Sequence, residues 1–318
     1  MAEAPRMITV VVPVYNRADI VGLTLRSLAD QELKGFDVVL VDNASTDMSR
    51  VVLERWKDEM ATERPDIRVA VVSCAAAGAA NARNAGLEKV VTPWTLFFDS
   101  DDEMLPGHLK SVAEAVGCDP EPCDVIGFDV YVCREGEIAG KQLFNRRGSL
   151  MFNQLMHCVL STQRMAVATD FVRTAGGWNG FLTGWDDYEL GVRLLLRGAK
   201  VRAIHGEPLV KVHTHPDSIT GVGFSHGASK WEAAADCVEK QLRQSGVSDY
   251  LPYIYAVRAT LAGHYLREGA VADYRRIRDR LRGAGLSLWQ RLVMNAIIAA
   301  VRVTGHGGGF ISRVAFGG

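Results

Sequence analysis

Several features that mark other classes of protein are missing from this chain of 318 residues. No run of ~20 uncharged apolar residues occurs, so we expect no membrane-spanning helix, and no apolar stretch near the N-terminus indicates export. The six cysteines form no C-x-x-C pair, which predicts free thiols in a reducing compartment and no zinc site. The net charge of −1 gives no overall field for nucleic acid. We therefore expect a cytoplasmic protein that does not bind nucleic acid.

The glycine-rich G-x-G-x-x-G turn is also missing after the first predicted strand, which argues against a dinucleotide cofactor. What is present is an alternation of apolar strands and helices through the first half. The predicted strands are Ile8–Val14, Phe36–Val41, Ile67–Ser73 and Trp94–Phe98, and the helices between them are Ala18–Gln31, Asp47–Met60 and Gly78–Val90. Strands that are apolar throughout predict an α/β fold, with a mostly parallel sheet flanked by helices.

Three carboxylates directly follow the fourth predicted strand, at Asp99, Asp101 and Asp102. Burying three unpaired charges would cost several kcal/mol for each, so we expect this turn to face solvent. Carboxylate oxygens are the ligands that Mg²⁺ or Mn²⁺ prefers. An acidic turn that leads into a helix beginning near Pro106 is the alternative.

Polar clusters follow or lie near the carboxyl ends of several predicted strands, where ligands bind in parallel α/β sheets. The clusters are Pro13-Val14-Tyr15-Asn16-Arg17, Asp42-Asn43-Ala44-Ser45, Asn81-Ala82-Arg83-Asn84 and Asp99-Ser100-Asp101-Asp102. Asp42 can accept hydrogen bonds from a base or ribose, Arg83 can contact a diphosphate, and the acidic turn can bind a metal. A capping role for Asp42 and a solvated Arg83 are the alternatives for single residues. Together the clusters predict a pocket for a nucleotide diphosphate.

Four motifs resemble, in order and spacing, the successive motifs of family 2 glycosyltransferases with the Rossmann-like GT-A fold, over roughly residues 7–221: Val11–Arg17, Val41–Asp47, Ala82–Gly86 and Phe98–Asp102. The resemblance implies inverting transfer of a sugar from a nucleotide-diphosphate sugar, UDP-sugar by default, assisted by Mn²⁺ or Mg²⁺. It matches Asp42 to the base-binding residue, Asp99 to a donor-binding aspartate, and Asp101, with Asp102 beside it, to the metal-binding part of the D-x-D signature. The residues expected to bind the nucleotide sugar are Pro13, Tyr15, Asn16, Arg17, Asp42, Arg83, Asn84, Asp99 and Ser100. Asn43 stands where many relatives have a second aspartate, a difference expected to have little consequence.

Inverting transfer needs a general base for the acceptor hydroxyl, and two adjacent carboxylates, Asp186 and Asp187, open a predicted helix. Asp186 with Glu189 fits a helix-capping pair, which would leave Asp187 without a structural role. The matching pair in the family is usually Glu-Asp, and the resemblance implies that its second residue is the base. Asp187 is therefore the predicted base, with Asp186 as the alternative.

Two tryptophans, Trp178 and Trp185, flank this loop among several glycines. They are predicted to contact the acceptor or to belong to a mobile lid, and packing against the sheet fits each equally well.

Further along, Val210–Ser218 is predicted to be an edge strand that places His213 and His215 on one side. The resemblance implies a histidine here that contacts diphosphate or metal. His215 fits better by its spacing to Ser218, and His213 is the alternative.

The chain becomes helical after residue 227, which predicts a catalytic domain over 1–226 and a helical extension over 227–318. Helices are expected near 228–245, 251–268, 270–281 and 286–303, with a frayed end over 305–318. Residues 228–318 carry 13 Lys and Arg against 7 Asp and Glu. Because basic residues adjoin an apolar segment with a tryptophan, residues 275–303 fit contact with an anionic membrane surface; packing on the rest of the protein is the alternative.

The resemblance and the residues together predict a non-processive enzyme, since no Q-x-x-R-W sequence, usual in processive synthases, follows the predicted base. The expected acceptor is a hydroxyl of a glycan or a lipid-linked sugar. A nucleotidyltransferase is one alternative, although it would need a basic loop after the first strand, where only Arg17 is present. A catalytically inactive nucleotide-sugar-binding scaffold is the other.

Overall fold

A computed structural model describes residues 5–117, 122–144, 148–214 and 223–317. Contacts between residues group the chain into two compact units. The first unit holds two sheets and comprises Met1–Asn145, Leu160–Thr183 and Arg197–His215, and the second is helical and comprises Arg146–Val159, Gly184–Leu196 and Pro216–Gly318. A boundary at residue 226 stays a prediction, and two segments from the middle of the chain group with the C-terminal helices.

The larger sheet has seven strands: β1 Ile8–Val14, β2 Asp37–Asp42, β3 Arg68–Ser73, β4 Trp94–Phe97, β6 Val125–Phe128, β9 Met165–Ala168 and β10 Val201–Ile204. They lie in the order β10-β6-β9-β4-β1-β2-β3. All pairs are parallel except those of β9, which runs antiparallel to β4 and β6. The predicted mostly parallel sheet is confirmed.

Helices flank this sheet, and the strands are apolar because both faces are covered. The helices of this unit are α1 Val21–Ala29, α2 Ser49–Glu63, α3 Ala79–Leu87, α4 His108–Gly117 and α6 Thr169–Thr174. Every residue of β1 is buried, and α3 packs so closely on β1 that a Cβ at Gly86 would lie 2.3 Å from Val11 Cγ1. The sheet is thus a rigid support for the loops that follow its strands.

A second sheet has four strands: β5 Glu103–Met104, β7 Val130–Arg134, β8 Glu137–Gln142 and β11 Val210–Thr214. They lie in the order β5-β11-β7-β8. The prediction that β11 is an edge strand was wrong, because it pairs with β5 on one side and β7 on the other. Through β5, which directly follows the acidic turn, this sheet connects the turn to β11.

The second unit is built from helices around its own apolar core. They are α5 Leu150–His157, α7 Asp186–Leu196, α8 Ala228–Gln244, α9 Leu251–Arg267, α10 Val271–Gly283, α11 Leu288–Thr304 and α12 Gly308–Phe316. The expected frayed end was wrong, since residues 308–316 are helical. Gly308 lets α12 pack on α9, because a Cβ there would lie 2.2 Å from Thr260 Oγ1. Within the described ranges, no helix combines the length and the hydropathy needed to cross a bilayer.

His108, at the start of α4, is a buried histidine that gives the stability of the first unit a pH dependence. Its ring is 2% exposed, packs edge-on against Phe128 and leaves Nε2 without a hydrogen bond among the described residues. Burial lowers its pKa from 6.5 to about 3. The unfolded chain therefore binds this proton below pH 6.5 while the folded chain does not, so stability falls as pH falls toward 3.

Between pH 7 and pH 5, we expect wild type to lose about 2 kcal/mol of its free energy of unfolding relative to His108→Leu, because only the wild type carries this group. Urea unfolding of both proteins at the two pH values measures the change. A constant difference between them would show that His108 titrates alike in the folded and unfolded states.

Candidate active site

The site lies where β1, β2 and β4 end side by side. Val14 at the end of β1 pairs with Asp42 at the end of β2, and the amide of Phe98, just after β4, donates to the carbonyl of Val11. The loops that follow these strands therefore emerge at one edge of the sheet, as the sequence predicted for their clusters.

The loops after β1 and β2 are joined by hydrogen bonds. The amide of Asn16 donates to Ser45 Oγ at 3.1 Å, and the amide of Thr46 donates to Asn16 Oδ1 at 2.8 Å. Asn16 has a φ of 51°, a left-handed conformation that asparagine tolerates better than most residues. Arg17 is fixed by its amide, which donates to Ser49 Oγ at 2.8 Å. The two loops thus form one surface beside Asp42.

Asp42 is 7% exposed, and its Oδ1 accepts a hydrogen bond from the amide of Ser45 at 3.2 Å. Asn43, next to it, is 5% exposed and bonds to the loop after β3. Its Nδ2 donates to the carbonyls of Cys74 and Ala76 at 3.0 and 2.7 Å, and its Oδ1 accepts from the amide of Gly78 at 2.9 Å. The amide therefore makes two donations that an aspartate could not make.

Replacing Asn43 by aspartate is expected to lower the free energy of unfolding by about 1–3 kcal/mol, because a carboxylate would face two carbonyl oxygens that lose their donor. Urea denaturation measures the change. Asn295→Asp makes the same chemical change on an exposed helix surface and serves as the matched control. Equal effects of both substitutions would contradict a special role for the amide.

Arg83 on α3 is a buried cation held between a carboxylate and an aromatic ring. Its Nη2 donates to Asp99 Oδ1 at 2.7 Å, and its guanidinium lies 4.5 Å from the centroid of the Trp178 ring. Gln163 Nε2 donates to Asp99 Oδ2. These contacts orient the Asp99 carboxylate, so in this structure Arg83 acts as a hydrogen-bond donor to Asp99. Contact of Arg83 with a diphosphate stays a prediction.

Asp101 and Asp102 differ in surroundings although they are adjacent. The side chain of Asp101 is 22% exposed and lies 3.9 Å from Arg17 Nη2. Asp102 is 2% exposed, and its Oδ1 accepts from the backbone amide of His213 in β11 at 2.8 Å. Burial, followed by the nearby charges of Asp99 and Asp101, raises the pKa of Asp102 well above its usual value. Asp101 is thus open to a ligand, whereas Asp102 fixes the acidic turn to β11.

His213 is the predicted histidine that the structure describes, and His215 lies outside the described residues. The Nε2 of His213 is buried, has no hydrogen-bond partner among the described residues and lies 3.7 Å from Glu103 Oε2. Within residues 5–117, 122–144, 148–214 and 223–317, no three His, Cys, Asp or Glu side chains are arranged to hold a metal ion by themselves. A cation bound by these side chains would therefore need further ligands from outside this set.

The other predicted nucleotide-sugar residues take different positions around the same edge. Tyr15 is 56% exposed, whereas Pro13 and Ser100 are buried. Asn84 exchanges two hydrogen bonds with the backbone of Trp178, at 2.8 and 2.9 Å, and so anchors that segment to α3. Tyr15 is the member of this group that is open to a ligand.

Trp178 is 2% exposed and packs edge-on against Phe97 at 5.0 Å, which favours the packing alternative for this residue. Gly177 and Gly180 allow its segment to approach α3, because a Cβ on Gly180 would lie 2.2 Å from Asn81 Oδ1. Phe181, which follows, is 97% exposed. No sequence motif predicts a role for Phe181, and an aromatic residue among four glycines is the signal that marks it.

The predicted base and its neighbours belong to the second unit. Asp186 and Asp187 form the first turn of α7 and are half-buried, and Asp187 Oδ1 accepts from the amide of Tyr188 at 2.8 Å. Glu189 bonds to Arg193 at 2.8 Å and to Gln241, so its carboxylate is engaged away from the helix start. Trp185 packs against Trp231 at 5.3 Å. The helix begins at Asp186 itself, which weakens the capping alternative for that residue.

A family profile and a similar bacterial protein both relate this chain to glycosyltransferases. Residues 9–168 match the sequence profile described as glycosyl transferase family 2. The putative teichuronic acid biosynthesis glycosyltransferase TuaG of Bacillus subtilis is 33% identical over 109 residues, which cover 34% of this chain and 41% of TuaG. The match thus spans less than half the length of that relative.

Two solved structures are similar over most of the chain. TarS residues 1–349 of Staphylococcus aureus, in complex with UDP-GlcNAc, align with a TM-score of 0.58 at 17% identity, covering 87% of this chain and 92% of that one. The mannosyltransferase PcManGT of Pyrobaculum calidifontis, in complex with GDP-Man and Mn²⁺, aligns with a TM-score of 0.57 at 17% identity, covering 98% and 86%. These alignments show a shared fold, and the predicted GT-A fold is confirmed.

Proposed function

The chain belongs to glycosyl transferase family 2, and from this membership we propose that it transfers a sugar, with inversion and without processivity, from a nucleotide-diphosphate sugar to an acceptor hydroxyl. The observation that carries the proposal is the arrangement at one sheet edge. Asp42 ends β2, and the Asp99 carboxylate held by Arg83 and the partly exposed Asp101 follow β4; both strands pair in parallel with β1. This arrangement supports binding of the base and of the diphosphate on the same surface.

The donor set at this edge fits Mn²⁺ or Mg²⁺. Partly exposed carboxylate oxygens on Asp99 and Asp101 are suitable ligands, and so is the buried Nε2 of His213, which has no hydrogen-bond partner in the part of the chain that the structure describes. Mg²⁺ is commonly held by one or two carboxylates together with substrate phosphates, which agrees with the lack of a three-ligand cluster among the described residues. When bound, the cation would neutralise charge on the leaving diphosphate. We propose Asp101 as its main protein ligand, with Asp102 holding the turn in place.

The donor is proposed as a class, the nucleotide-diphosphate sugars, without a single base or sugar. Asp42 lies at the end of β2 and can accept a hydrogen bond from a base or a ribose. The similar structures hold UDP-GlcNAc in TarS and GDP-Man with Mn²⁺ in PcManGT. These ligands support a nucleotide sugar as the donor of this chain, with either a uridine or a guanosine nucleotide. UDP-sugar is the default donor.

We propose Asp187 as the general base that takes the proton of the acceptor hydroxyl. Half-burial in the first turn of α7 gives its carboxylate a fixed position, and the family motif supports the second of the two aspartates. Asp186 is the alternative base. The acceptor is proposed to be a glycan or a lipid-linked sugar, which would bring the enzyme to a membrane surface through residues 275–303.

The reaction class is tested by the leaving group. Purified protein is offered either a panel of nucleotide sugars or nucleoside triphosphates with sugar 1-phosphates, and nucleoside diphosphate and pyrophosphate are measured. Release of nucleoside diphosphate from one nucleotide sugar supports the proposal. Pyrophosphate release would instead identify a nucleotidyltransferase, and binding of a nucleotide sugar without any release would identify a scaffold.

A further inference from the structure

The outward face of α11 is apolar although it is exposed. Leu288, Trp289, Leu292 and Val303 are 76%, 59%, 55% and 79% exposed, and Ala296 and Ala299 between them are also exposed. Residues 288, 292, 296, 299 and 303 follow the spacing of one helical stripe. The opposite face is buried in the core of the second unit. The helix is therefore apolar on two sides, which an ordinary surface helix is not.

The next helix, α12, presents two more exposed apolar side chains. Phe310 and Val314 are 75% and 72% exposed and lie four residues apart, on one face of the helix. The other side of α12 is fixed by Gly308 against Thr260 and by the Tyr253 hydroxyl, which donates to the Phe316 carbonyl at 3.2 Å. Six large side chains, which we call the apolar surface, are thus held outward: Leu288, Trp289, Leu292, Val303, Phe310 and Val314.

The charges beside the apolar surface have one sign. Residues 284–318 contain three arginines and no Asp or Glu. Arg291 and Arg302 are exposed and lie eleven residues apart, which places both along the same border of the apolar stripe. On α10, Arg276 and Arg280 bond to Glu232 and Asp236. Arg275 and Arg282 are exposed, and Arg278 is half-buried.

An anionic bilayer is the partner that matches both properties. Apolar side chains of an in-plane helix enter the boundary between headgroups and acyl chains, tryptophan favours that depth, and arginines contact anionic headgroups. A second copy of the chain matches less well. A two-fold interface would place the same surface against itself and bring arginines together, with no acidic residue in 284–318 to offset them.

We propose that the apolar surface of α11 and α12 binds the protein to an anionic lipid bilayer, with Arg291 and Arg302 contacting the headgroups. This inference gives the proposed membrane contact its residues and its lipid class, and it rests on the proposed function only for the meaning of that contact. It extends the contact to α12, which lies beyond residues 275–303.

The test is co-sedimentation of the full chain with vesicles of phosphatidylcholine alone and with vesicles that also contain phosphatidylglycerol. We expect binding to the phosphatidylglycerol vesicles, weakened about fivefold for each arginine removed in Arg291→Gln and Arg302→Gln. The double variant Leu288→Ser, Leu292→Ser should lose at least about tenfold in affinity, because two exposed leucines leave the acyl boundary. Val91→Ser, which removes a 78% exposed valine from the first unit, should bind as wild type does.

A second readout uses Trp289. Acyl chains labelled with bromine should quench the tryptophan fluorescence of wild type, and Trp289→Phe should lose most of that quenching. Absence of vesicle binding, or equal binding to both kinds of vesicle, would overturn the inference. So would a wild-type dimer in light scattering that the double leucine variant abolishes, since that result would assign the surface to a second copy.

Nucleoside diphosphate release without vesicles separates this inference from the proposed function. Variants of the apolar surface should release the product at the wild-type rate. If wild type released nucleoside diphosphate normally but did not bind vesicles, the membrane inference alone would be overturned. Vesicle binding by a protein that turns over no nucleotide sugar would overturn the transferase proposal alone.

Discussion

Asp187→Asn is expected to lose about 10²- to 10⁴-fold of the transfer rate, the range that a positioned general base contributes. The amide has nearly the same shape and keeps an oxygen that can accept the hydrogen bond from Tyr188, but it cannot take a proton from the acceptor. Steady-state release of nucleoside diphosphate in the presence of an acceptor measures the rate. Affinity for the nucleotide should stay unchanged, because the nucleotide contacts are proposed for residues of the other unit.

The adjacent Asp186→Asn variant is the matched control, since it makes the same change one residue earlier in the same helical turn. It should keep most of the rate. A large loss in Asp186→Asn with a small loss in Asp187→Asn would reverse the assignment. Equal and large losses in both, with intact folding, would indicate that the pair acts together.

Asp101→Asn is expected to lose at least about 100-fold of the Mn²⁺-dependent rate, because a metal ion contributes several kcal/mol of charge stabilisation to such a reaction. The partly exposed carboxylate lies in a turn whose backbone is fixed elsewhere, so we expect normal folding. Calorimetry gives an independent readout. Mn²⁺ should tighten nucleoside diphosphate binding to wild type and have no such effect on Asp101→Asn.

Asp102→Asn separates ligation from positioning. The amide oxygen can still accept from the His213 amide, and the carboxyl group that is replaced is one whose charged form burial already disfavours. We therefore expect a stable protein that keeps most of its response to Mn²⁺. If Asp102→Asn lost that response while Asp101→Asn kept it, the two residues would exchange roles.

The periodicity of the sequence was sufficient to predict the parallel part of the sheet. Strands β1 and β3 lie within one residue of their predicted starts and ends, because long β-branched runs and regular helices alternate there. The four-residue strand β9 was not predicted. It enters antiparallel between β4 and β6, and pairing between distant short segments leaves no local pattern.

That missed strand also explains a missed site residue. Gln163 precedes β9, and the antiparallel direction brings the start of β9 to the edge where the parallel strands end. There it donates to Asp99. No motif surrounds Gln163 in the sequence, so its position follows from topology alone.

The environments of the predicted charged residues could likewise not be read from spacing. The sequence placed Arg83 and Asp99 at one edge of the sheet. Only the fold shows that Arg83 donates to Asp99 and that its guanidinium lies over the Trp178 ring. Helix α12 was missed for a related reason, since glycines predict a frayed end unless the close packing that requires them is known.

The most direct test of nucleotide-sugar transfer is release of nucleoside diphosphate from a panel of UDP-, GDP- and dTDP-sugars by the wild-type protein, with Mn²⁺ and with EDTA. The account predicts turnover of one donor with Mn²⁺, slow with water as acceptor, that stops when EDTA removes the metal. Release that continues unchanged in EDTA would contradict the metal dependence, and no binding or release with any donor would contradict the transferase function itself.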